Sequence, residues 1–453
     1  MRNDIIIALA TPHSPNGAIA IIRLSGEGCI ELVNDNVNVD LTVKETHTVS
    51  VCNFINEQGK VVDNVLVTVF KNGKSYTKEE SVEISCHNSE YIIDVIIRTL
   101  IQKGARMALN GEFTRRAYLN GRFDIIQAEA VADLIAAQNE SAHNIALKQM
   151  RGDLSSRLTN IREGIVKICS LIDLDMDFNE EDINNTGLYE EACAHIDAVK
   201  KDISALISNF SKGEAIKKGL PIAIIGKPNV GKSSFLNAIL KEERCIVSDI
   251  PGTTRDTIDA EILIGGLKCR FIDTAGIREG IDVDILEKEG IKRTKNTIKN
   301  ARLIIYITDV LSDVNDSLHT LQKIDLETKD LIILVNKIDL NVNYKLSEDI
   351  SQGLPVFYVS TKDNIGIKDV EEFISNKYKI SESEFVVNAR HYDILSHILK
   401  NLEMAKEKMM TKNYDIAFKY SSECIEEINK LFAEGVSNEH ILDNIFKDFC
   451  IGK

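Results

Sequence analysis

The sequence predicts a multidomain α/β protein. It reads as an α+β amino-terminal domain, a helical bundle domain in two parts, and a P-loop domain inserted between those parts, with a doubly wound, mostly parallel sheet. Three observations predict this. The chain has 453 residues, too many for one hydrophobic core and enough for about three domains at roughly 150 residues each. The hydrophobic period changes along the chain, from β-branched runs to helical steps, then to short apolar runs alternating with helices, then back to helical steps. Finally, the glycine-rich stretch Gly226-Lys-Pro-Asn-Val-Gly231-Lys232-Ser233 stands between an apolar strand and a helix.

Residues 1–120 carry the runs Ala18–Ile22, Val49–Phe54, Val61–Phe70 and Val82–Ser85, with Pro15-Asn16-Gly17 and Asn72-Gly73 as breakers. Such runs read as strands and turns with a helix or two. In 121–216, Leu147, Met150, Leu154, Leu158, Ile161, Ile165, Ile168 and Ile172 recur at steps of three or four, the stripe of one long helix that faces a bundle core. Helical patterning continues to Ser211 and stops at Lys212-Gly213. In 217–379 the buried-strand runs Pro221–Ile225, Leu303–Thr308, Leu331–Val335 and Pro355–Val359 alternate with helices, the mark of a parallel sheet. Helical stripes return in 380–453, one at Leu395, Ile398, Leu402 and Ala405, another at Ile425, Ile428, Leu431 and Phe432.

Composition excludes several classes. Apolar residues make up 44% and charged residues 27%, as in ordinary soluble proteins. The longest early apolar run, Ile5–Ala10, is far short of the roughly 20 residues of a membrane span. Asp4 precedes it without a basic n-region, so no signal peptide is expected and the cytoplasm is the expected location. Nine cysteines lie singly with no CxxC pair, and nine histidines form no HExxH; this argues against a disulfide framework or a structural zinc and fits a reducing compartment. The net charge of −15 argues against electrostatic coating of nucleic acid, while a local basic groove could still hold RNA.

The loop Gly226–Ser233 matches GxxxxGK[ST]. Its glycines turn backbone N–H groups toward phosphate oxygens, with Asn229, Val230 and Gly231 shaping the cradle. Lys232 would reach the β- and γ-phosphates, Ser233 would ligate Mg²⁺, and Ser234 continues the helix start. Asp273-Thr274-Ala275-Gly276 follows the strand Cys269–Ile272: Asp273 would hold Mg²⁺ through water and the Gly276 N–H would bond the γ-phosphate. Asn336-Lys337-Ile338-Asp339 follows another strand. The Asp339 carboxylate can accept from both N1–H and the 2-amino group of guanine, an arrangement that adenine would leave unpaired. Ser360-Thr361-Lys362 would support the base. In Gly252-Thr253-Thr254-Arg255, Thr254 would supply the second Mg²⁺ hydroxyl. Together these elements imply GTP binding and hydrolysis. Ile277 stands where Ras-like enzymes place a water-orienting Gln, so another group must do so; Arg278–Glu289 offers Glu279, Asp282, Asp284, Glu287 and Glu289. No arginine finger is assignable from the sequence: Arg255 is a candidate, although a structural role away from the phosphates suits it better.

Outside the P-loop domain the chain carries Asp4-Ile-Ile-Ile-Ala-Leu-Ala-Thr-Pro12, Gly17-Ala-Ile-Ala-Ile-Ile-Arg23-Leu-Ser-Gly26 and Gly111-Glu-Phe-Thr-Arg-Arg-Ala-Tyr-Leu-Asn-Gly121. It also carries Gln127-Ala-Glu-Ala-Val131 and the ending Phe449-Cys-Ile-Gly-Lys453. On these motifs it resembles, over nearly its whole length, the tRNA modification GTPases of the MnmE (TrmE) type. The resemblance implies a folate-binding-like, dimerising amino-terminal domain that holds a 5-formyl-tetrahydrofolate-type donor through Arg23, Glu83, Arg122 and Lys453. Cations suit the donor's carboxylates, and Glu83 suits the amide-like pterin edge. Two departures stand out: the family usually has Lys at Arg122, and its His-Gly-Gly reads His87-Asn88-Ser89. Cys450 would be the reactive thiol. The resemblance also implies K⁺ in place of an arginine finger, held by Asn229, Ser248, the Ile250 carbonyl and Thr253, and it carries Asp249 and Pro251 into the nucleotide site. It selects Glu287, before Gly290-Ile291, to orient the water, with Glu289 as a substitute across a longer loop.

The implied protein is a K⁺-stimulated GTPase that, with an FAD-dependent partner of the MnmG (GidA) type in a heterotetramer, installs a carboxymethylaminomethyl-type group at C5 of the wobble uridine of certain tRNAs. The alternative is a ribosome-associated switch GTPase of the Era or Der kind, without one-carbon chemistry.

Overall fold

The computed structural model describes the chain except for residues 1–3, 13–15, 72, 179–185, 243–259, 273–296, 312–329, 347–350, 352, 380–387, 434–437, 448, 450 and 453. Two compact units emerge. One comprises Met1–Ile135, Leu147–Val199 and His397–Lys453; the other comprises Ala136–Ala146 and Lys200–Ser396.

The first unit opens with β1 (Ile6–Leu9), β2 (Ile19–Ser25), α1 (Cys29–Asn34), β3 (Thr48–Ile55), β4 (Val61–Phe70), β5 (Ser81–His87), α2 (Glu90–Gln102), β6 (Arg106–Met107) and α3 (Glu112–Leu119). The strands form one sheet in the order β3-β4-β5-β2-β1-β6, with only β1 and β6 parallel. Strict alternation decides its faces. Ala20, Ile22, Leu24, Val65, Val67, Val69, Val82 and Ile84 turn inward, joined by Ile93, Ile96 and Leu100 of α2. The partners across the other face are Arg23 with Glu83, Val51 with Leu66 and Ile19 with His87. There Ile19, Val49, Val51 and Leu66 lie open to solvent.

Helices follow: α4 (Ile125–Ala136), α5 (Glu140–Met150), α6 (Asp153–Phe178) and α7 (Thr186–Ser208). The expected single stripe is carried by two helices. Leu154, Leu158, Ile161, Ile165, Ile168 and Ile172 are buried along α6. The helix is broken before them at Gly152, whose φ of 92° lies where glycine is at ease and other residues are strained. The four-residue step from Met150 to Leu154 spans that break, so the pattern stays in phase across it.

The second unit contains α8 (Phe210–Lys218), β7 (Leu220–Ile225), α9 (Lys232–Glu242), β8 (Ala260–Ile264), β9 (Leu267–Phe271), β10 (Leu303–Asp309), β11 (Asp330–Asn336), β12 (Val356–Tyr358) and α10 (Ile367–Tyr378). Helix α8 runs straight through Lys212-Gly213, where the sequence predicts a stop, and ends instead at Gly219 with φ 89°. The burial of Ala215 and Ile216 outweighs the roughly 1 kcal/mol that a mid-helix glycine costs. The sheet order is β12-β11-β10-β7-β9-β8, parallel except for the β8–β9 hairpin. Strand β10 is buried at every position, as a strand covered on both faces must be. The first unit is completed by much of α11 (Ala389–Met410), and by α12 (Tyr414–Leu431) and α13 (Asn438–Lys447). On α12 the inner stripe is Ala417, Ser421, Cys424, Ile428 and Leu431; Ile425 and Phe432, expected inside, are only half-buried. Among the described residues no helix is long and apolar enough to cross a membrane.

Candidate functional sites: a phosphate loop and an arginine cluster

The phosphate loop leaves β7 and enters α9, and its glycines are required by contact as well as conformation. A Cβ on Gly226 would lie 2.1 Å from the Ile307 carbonyl oxygen, and one on Gly231 would lie 2.1 Å from Asn336 Nδ2. Asn229 adopts φ 61°, a left-handed conformation that asparagine tolerates well. Lys232 donates to the carbonyls of Gly226 at 2.9 Å and Lys227 at 2.6 Å, and burial lowers its pKa from the ordinary value. Ser233 follows at the head of α9, whose aligned peptides favour an anion there.

The carboxyl end of β11 is bound to this loop. Asn336 donates to the Val230 carbonyl at 2.9 Å and accepts from the Thr361 N–H at 3.2 Å. Lys337 donates to the Asn229 carbonyl at 2.7 Å and to Asp309 at 2.6 Å. Ser360, fully buried, donates to Asp339 Oδ1 at 2.8 Å. The structure therefore brings together Gly226, Asn229, Val230, Gly231, Lys232, Ser233, Ser234, Asn336, Lys337, Asp339, Ser360, Thr361 and Lys362 at the carboxyl ends of parallel strands. Ligands bind there in open α/β sheets. Sequence reasoning missed Asp309, the buried counter-ion of Lys337; it stands at the end of a continuous apolar run, and a polar end to such a strand was the available signal. Ser248, Asp249, Ile250, Pro251, Gly252, Thr253, Thr254, Asp273, Thr274, Ala275, Gly276, Glu287 and Glu289 lie outside the described residues.

A second cluster lies on the open face of the amino-terminal sheet. Arg23 Nε donates to Glu83 Oε1 at 2.8 Å, and its Nη1 donates to the Gly452 carbonyl at 3.1 Å. Both Arg23 and Arg122 stack on Tyr76, with guanidinium carbons 5.7 and 5.5 Å from the ring centre. Arg122 also donates to the Ser75 carbonyl, and the Tyr76 hydroxyl meets Thr114 at 3.0 Å. Burial pushes the Tyr76 pKa up, against the Thr114 hydrogen bond and the two cations. Arg23, Glu83 and Arg122 thus share one place, with Tyr76 between the arginines. Tyr76 was not singled out from the sequence, because nothing periodic marks an aromatic in a turn. Cys450 and Lys453 lie outside the described residues. In the turn His87-Asn88-Ser89, Asn88 donates to the Gly17 carbonyl at 2.9 Å, so its side chain closes the loop against the start of β2.

The description "GTP-binding protein TrmE N-terminus" matches residues 5–122, and "MnmE helical domain" matches residues 125–450. The chain belongs to the MnmE (TrmE) family. The protein of Flavobacterium johnsoniae called tRNA modification GTPase MnmE is 43% identical, covering 100% of both chains. Those of the same name from Cytophaga hutchinsonii and Aquifex aeolicus are 40% and 36% identical, over 100% and 99% of this chain and 98% and 99% of theirs. Among solved structures, the G domain of the T. maritima FeoB iron transporter is 24% identical over 35% of this chain and 98% of its own, with a TM-score of 0.26, too low to argue from. The MnmE family motifs acquire physical roles in the fold. Within Gly111–Gly121, Arg116 reaches Asp4 at 2.7 Å and Glu79 at 3.2 Å, while Glu112 accepts from Arg106, so the motif fastens the first strand to α3.

Proposed function

We propose that the chain hydrolyses GTP in the cytoplasm in the service of tRNA modification, with residues 217–379 as its G domain. The observation that carries this is the pair of hydrogen bonds from Asn336 and Lys337 into the phosphate loop. They join a phosphate cradle to a carboxylate, Asp339, whose two oxygens suit N1–H and the 2-amino group of guanine. The donors that Lys232 gives to loop carbonyls are the ones that β- and γ-phosphates would draw to themselves. Ser233 and Thr254 would hold Mg²⁺, and Asn229, Ser248, the Ile250 carbonyl and Thr253 would hold K⁺; such cations neutralise charge developing on the transferred phosphoryl group. Glu287, or Glu289 across the longer loop, orients the attacking water.

Arg23, Arg122, Glu83 and Lys453 form the site of a 5-formyl-tetrahydrofolate-type donor. The two stacked guanidiniums beside Tyr76 fit this class, because they offer cations for glutamate carboxylates and an aromatic face for a pterin. Cys450 supplies a thiol in the same tail. A homodimer forms over the sheet face that exposes Ile19, Val49, Val51 and Leu66, a patch that a monomer seldom leaves open. With an FAD-dependent partner of the MnmG type, the substrate position is C5 of the wobble uridine of certain tRNAs.

The test is GTP turnover in KCl against NaCl at matched ionic strength, beside calorimetric titration of 5-formyl-tetrahydrofolate into the full chain and into a variant lacking Cys450–Lys453. K⁺-dependent turnover, with folate binding that weakens on truncation, is expected. Turnover without folate binding would refute the one-carbon part and leave the GTPase standing.

A further inference from the structure

The ends of β10 and β11 lie side by side, with Asp309 opposite Asn336 in the parallel register. The residue after Asn336 is therefore within reach of the Asp309 carboxylate, whose two oxygens are given to different partners. Oδ1 accepts from the Leu311 N–H at 3.2 Å, and Oδ2 accepts from Lys337 Nζ at 2.6 Å. The first bond fixes how the carboxylate is turned, and the second fixes where the ammonium stands. Asp309 is 5% exposed, so water is poorly placed to replace a partner that is lost.

Lys337 carries that order into the phosphate loop. The same ammonium donates to the Asn229 carbonyl at 2.7 Å, and the next carbonyl, that of Val230, accepts from Asn336 Nδ2 at 2.9 Å. Two successive peptide groups of the loop are thus held by two successive residues at the end of β11. The tie to Asn229 acts on a residue that needs one. Asn229 stands at φ 61° and Lys337 at φ 62°, in a left-handed conformation that costs most residues roughly 1–2 kcal/mol and asparagine less. Such backbone persists where its surroundings over-determine it, and it gathers at functional sites. One hydrogen bond joins these two residues, and Asp309 holds its donor in place.

The Asn229 side chain, in contrast, is exposed. The loop fixes the backbone of Asn229, and with it the direction in which the side chain leaves, while the amide itself stays available. Its carbonyl oxygen is the neutral oxygen donor that suits K⁺, so the described part of the K⁺ site fits the cation. We propose that Asp309 is a positioning residue for that site: acting through Lys337 and the Asn229 carbonyl, it aims the Asn229 amide at the cation. This rests on the K⁺ reading given above.

The experiment uses the full chain with saturating GDP, aluminium fluoride and Mg²⁺, which together mimic the phosphoryl group in transfer. Melting temperature is followed as KCl replaces NaCl at constant ionic strength. The readout is then the stability that bound K⁺ adds to the complex, not turnover, and an apparent Kd for K⁺ is fitted from the rise. The wild type should melt higher as KCl increases. Asn229→Gly, which removes the amide but keeps the left-handed backbone at ease, should not respond. Asp309→Asn keeps the shape and an acceptor for the Leu311 N–H but loses the charge, and its apparent Kd for K⁺ should rise at least fivefold. Lys337→Met cuts the same connection one residue later and should raise the Kd as far. A merely structural role for Asp309 would lower the melting temperature equally in the two salts and leave the Kd for K⁺ unchanged. That result, with Asn229→Gly unresponsive, overturns the proposal and leaves the K⁺ reading standing. A wild type that melts alike in both salts, or an Asn229→Gly that keeps the wild-type Kd, overturns the K⁺ reading and the proposal with it.

Discussion

Lys337 ties the phosphate loop to the end of β10, so its removal has a magnitude that can be worked out. Its ammonium donates to the Asn229 carbonyl at 2.7 Å and to Asp309 at 2.6 Å, and Asp309 is 7% exposed at its side chain. Bonds involving a charged group contribute about 1.5–3 kcal/mol each. The lysine is itself 31% exposed, so water recovers part of that loss and Lys337→Ala is expected to cost about 2–3 kcal/mol. For a domain of this size that lowers the melting temperature by about 4–12 °C. If all of it acts by loosening the phosphate loop, the Kd for GTP rises by about 30–150-fold. Asp309→Ala should cost less, because the lysine left behind can be solvated, whereas Lys337→Ala takes the cation from a buried carboxylate that keeps the Leu311 N–H at 3.2 Å. Calorimetric melting and titration of a fluorescent GTP analogue would be run on both single variants and on the double variant. Their cycle should show a coupling of about 1–2 kcal/mol. If Lys337→Ala melts within 1 °C of wild type and binds GTP equally well, the tether is not what holds the loop.

Three further outcomes are expected. Asp339→Asn replaces an acceptor by a donor, so GTP affinity should fall about 10–150-fold while the xanthosine analogue, with oxygen at position 2, gains; equal losses for both nucleotides would mean that Asp339 does not face the base. Asp4 and Glu112 are each pushed up by burial and pulled down further by Arg106 and its neighbours, so both pKa values lie below their ordinary 3.8 and 4.5. Such groups stabilise fully above those values and lose that contribution as pH falls through their folded values; the first unit should therefore weaken from about pH 4.5 downward, and Glu112→Gln should flatten that slope in acid melting curves. Glu287→Ala should abolish turnover in a single-turnover assay and keep GTP affinity; if Glu289→Ala does this instead, the water is oriented from two residues further on.

What was legible in the sequence was what is contiguous. The phosphate loop, with the residues from Asn336 to Asp339, could be read because each is a short segment whose neighbours supply the needed strand or helix. Arg23, Glu83 and Arg122 were named through family resemblance, and the structure brings them to one place. Tyr76, which joins two of them, could not be found, since its role exists only once β2 and the turn after β4 are side by side. The helix break at Gly152 was hidden by a stripe that stays in phase across it. The opposite error, a stop expected at Gly213, arose because local propensity was outweighed by the core contacts of Ala215 and Ile216.

The family motifs lie hundreds of residues apart, and their convergence gives one more prediction. A Cβ on Gly111 would stand 2.9 Å from Phe449 Cβ, and one on Gly452 would stand 2.7 Å from the Leu9 carbonyl oxygen. The helix α13 is fastened to the same region, with Asn110 donating to the Lys447 carbonyl and Arg115 paired with Asp443 at 2.8 Å. The tail is therefore held at three successive points along its length, at α13, at Phe449 over Gly111, and at Gly452 against β1, where its carbonyl takes Arg23. Gly452 also has φ 91°, so Gly452→Ala adds both a clash and a strained backbone, each of order 1–3 kcal/mol. The docking of α13 and Phe449 should survive, and only the last residues should lift away. The expected result is an Arg23 that keeps Glu83 but loses its carbonyl partner, read as folate affinity reduced at least tenfold with the melting temperature lowered by no more than a few degrees. If folate affinity is unchanged, the tail's seat against β1 is structural and Arg23 does not need it to bind the donor.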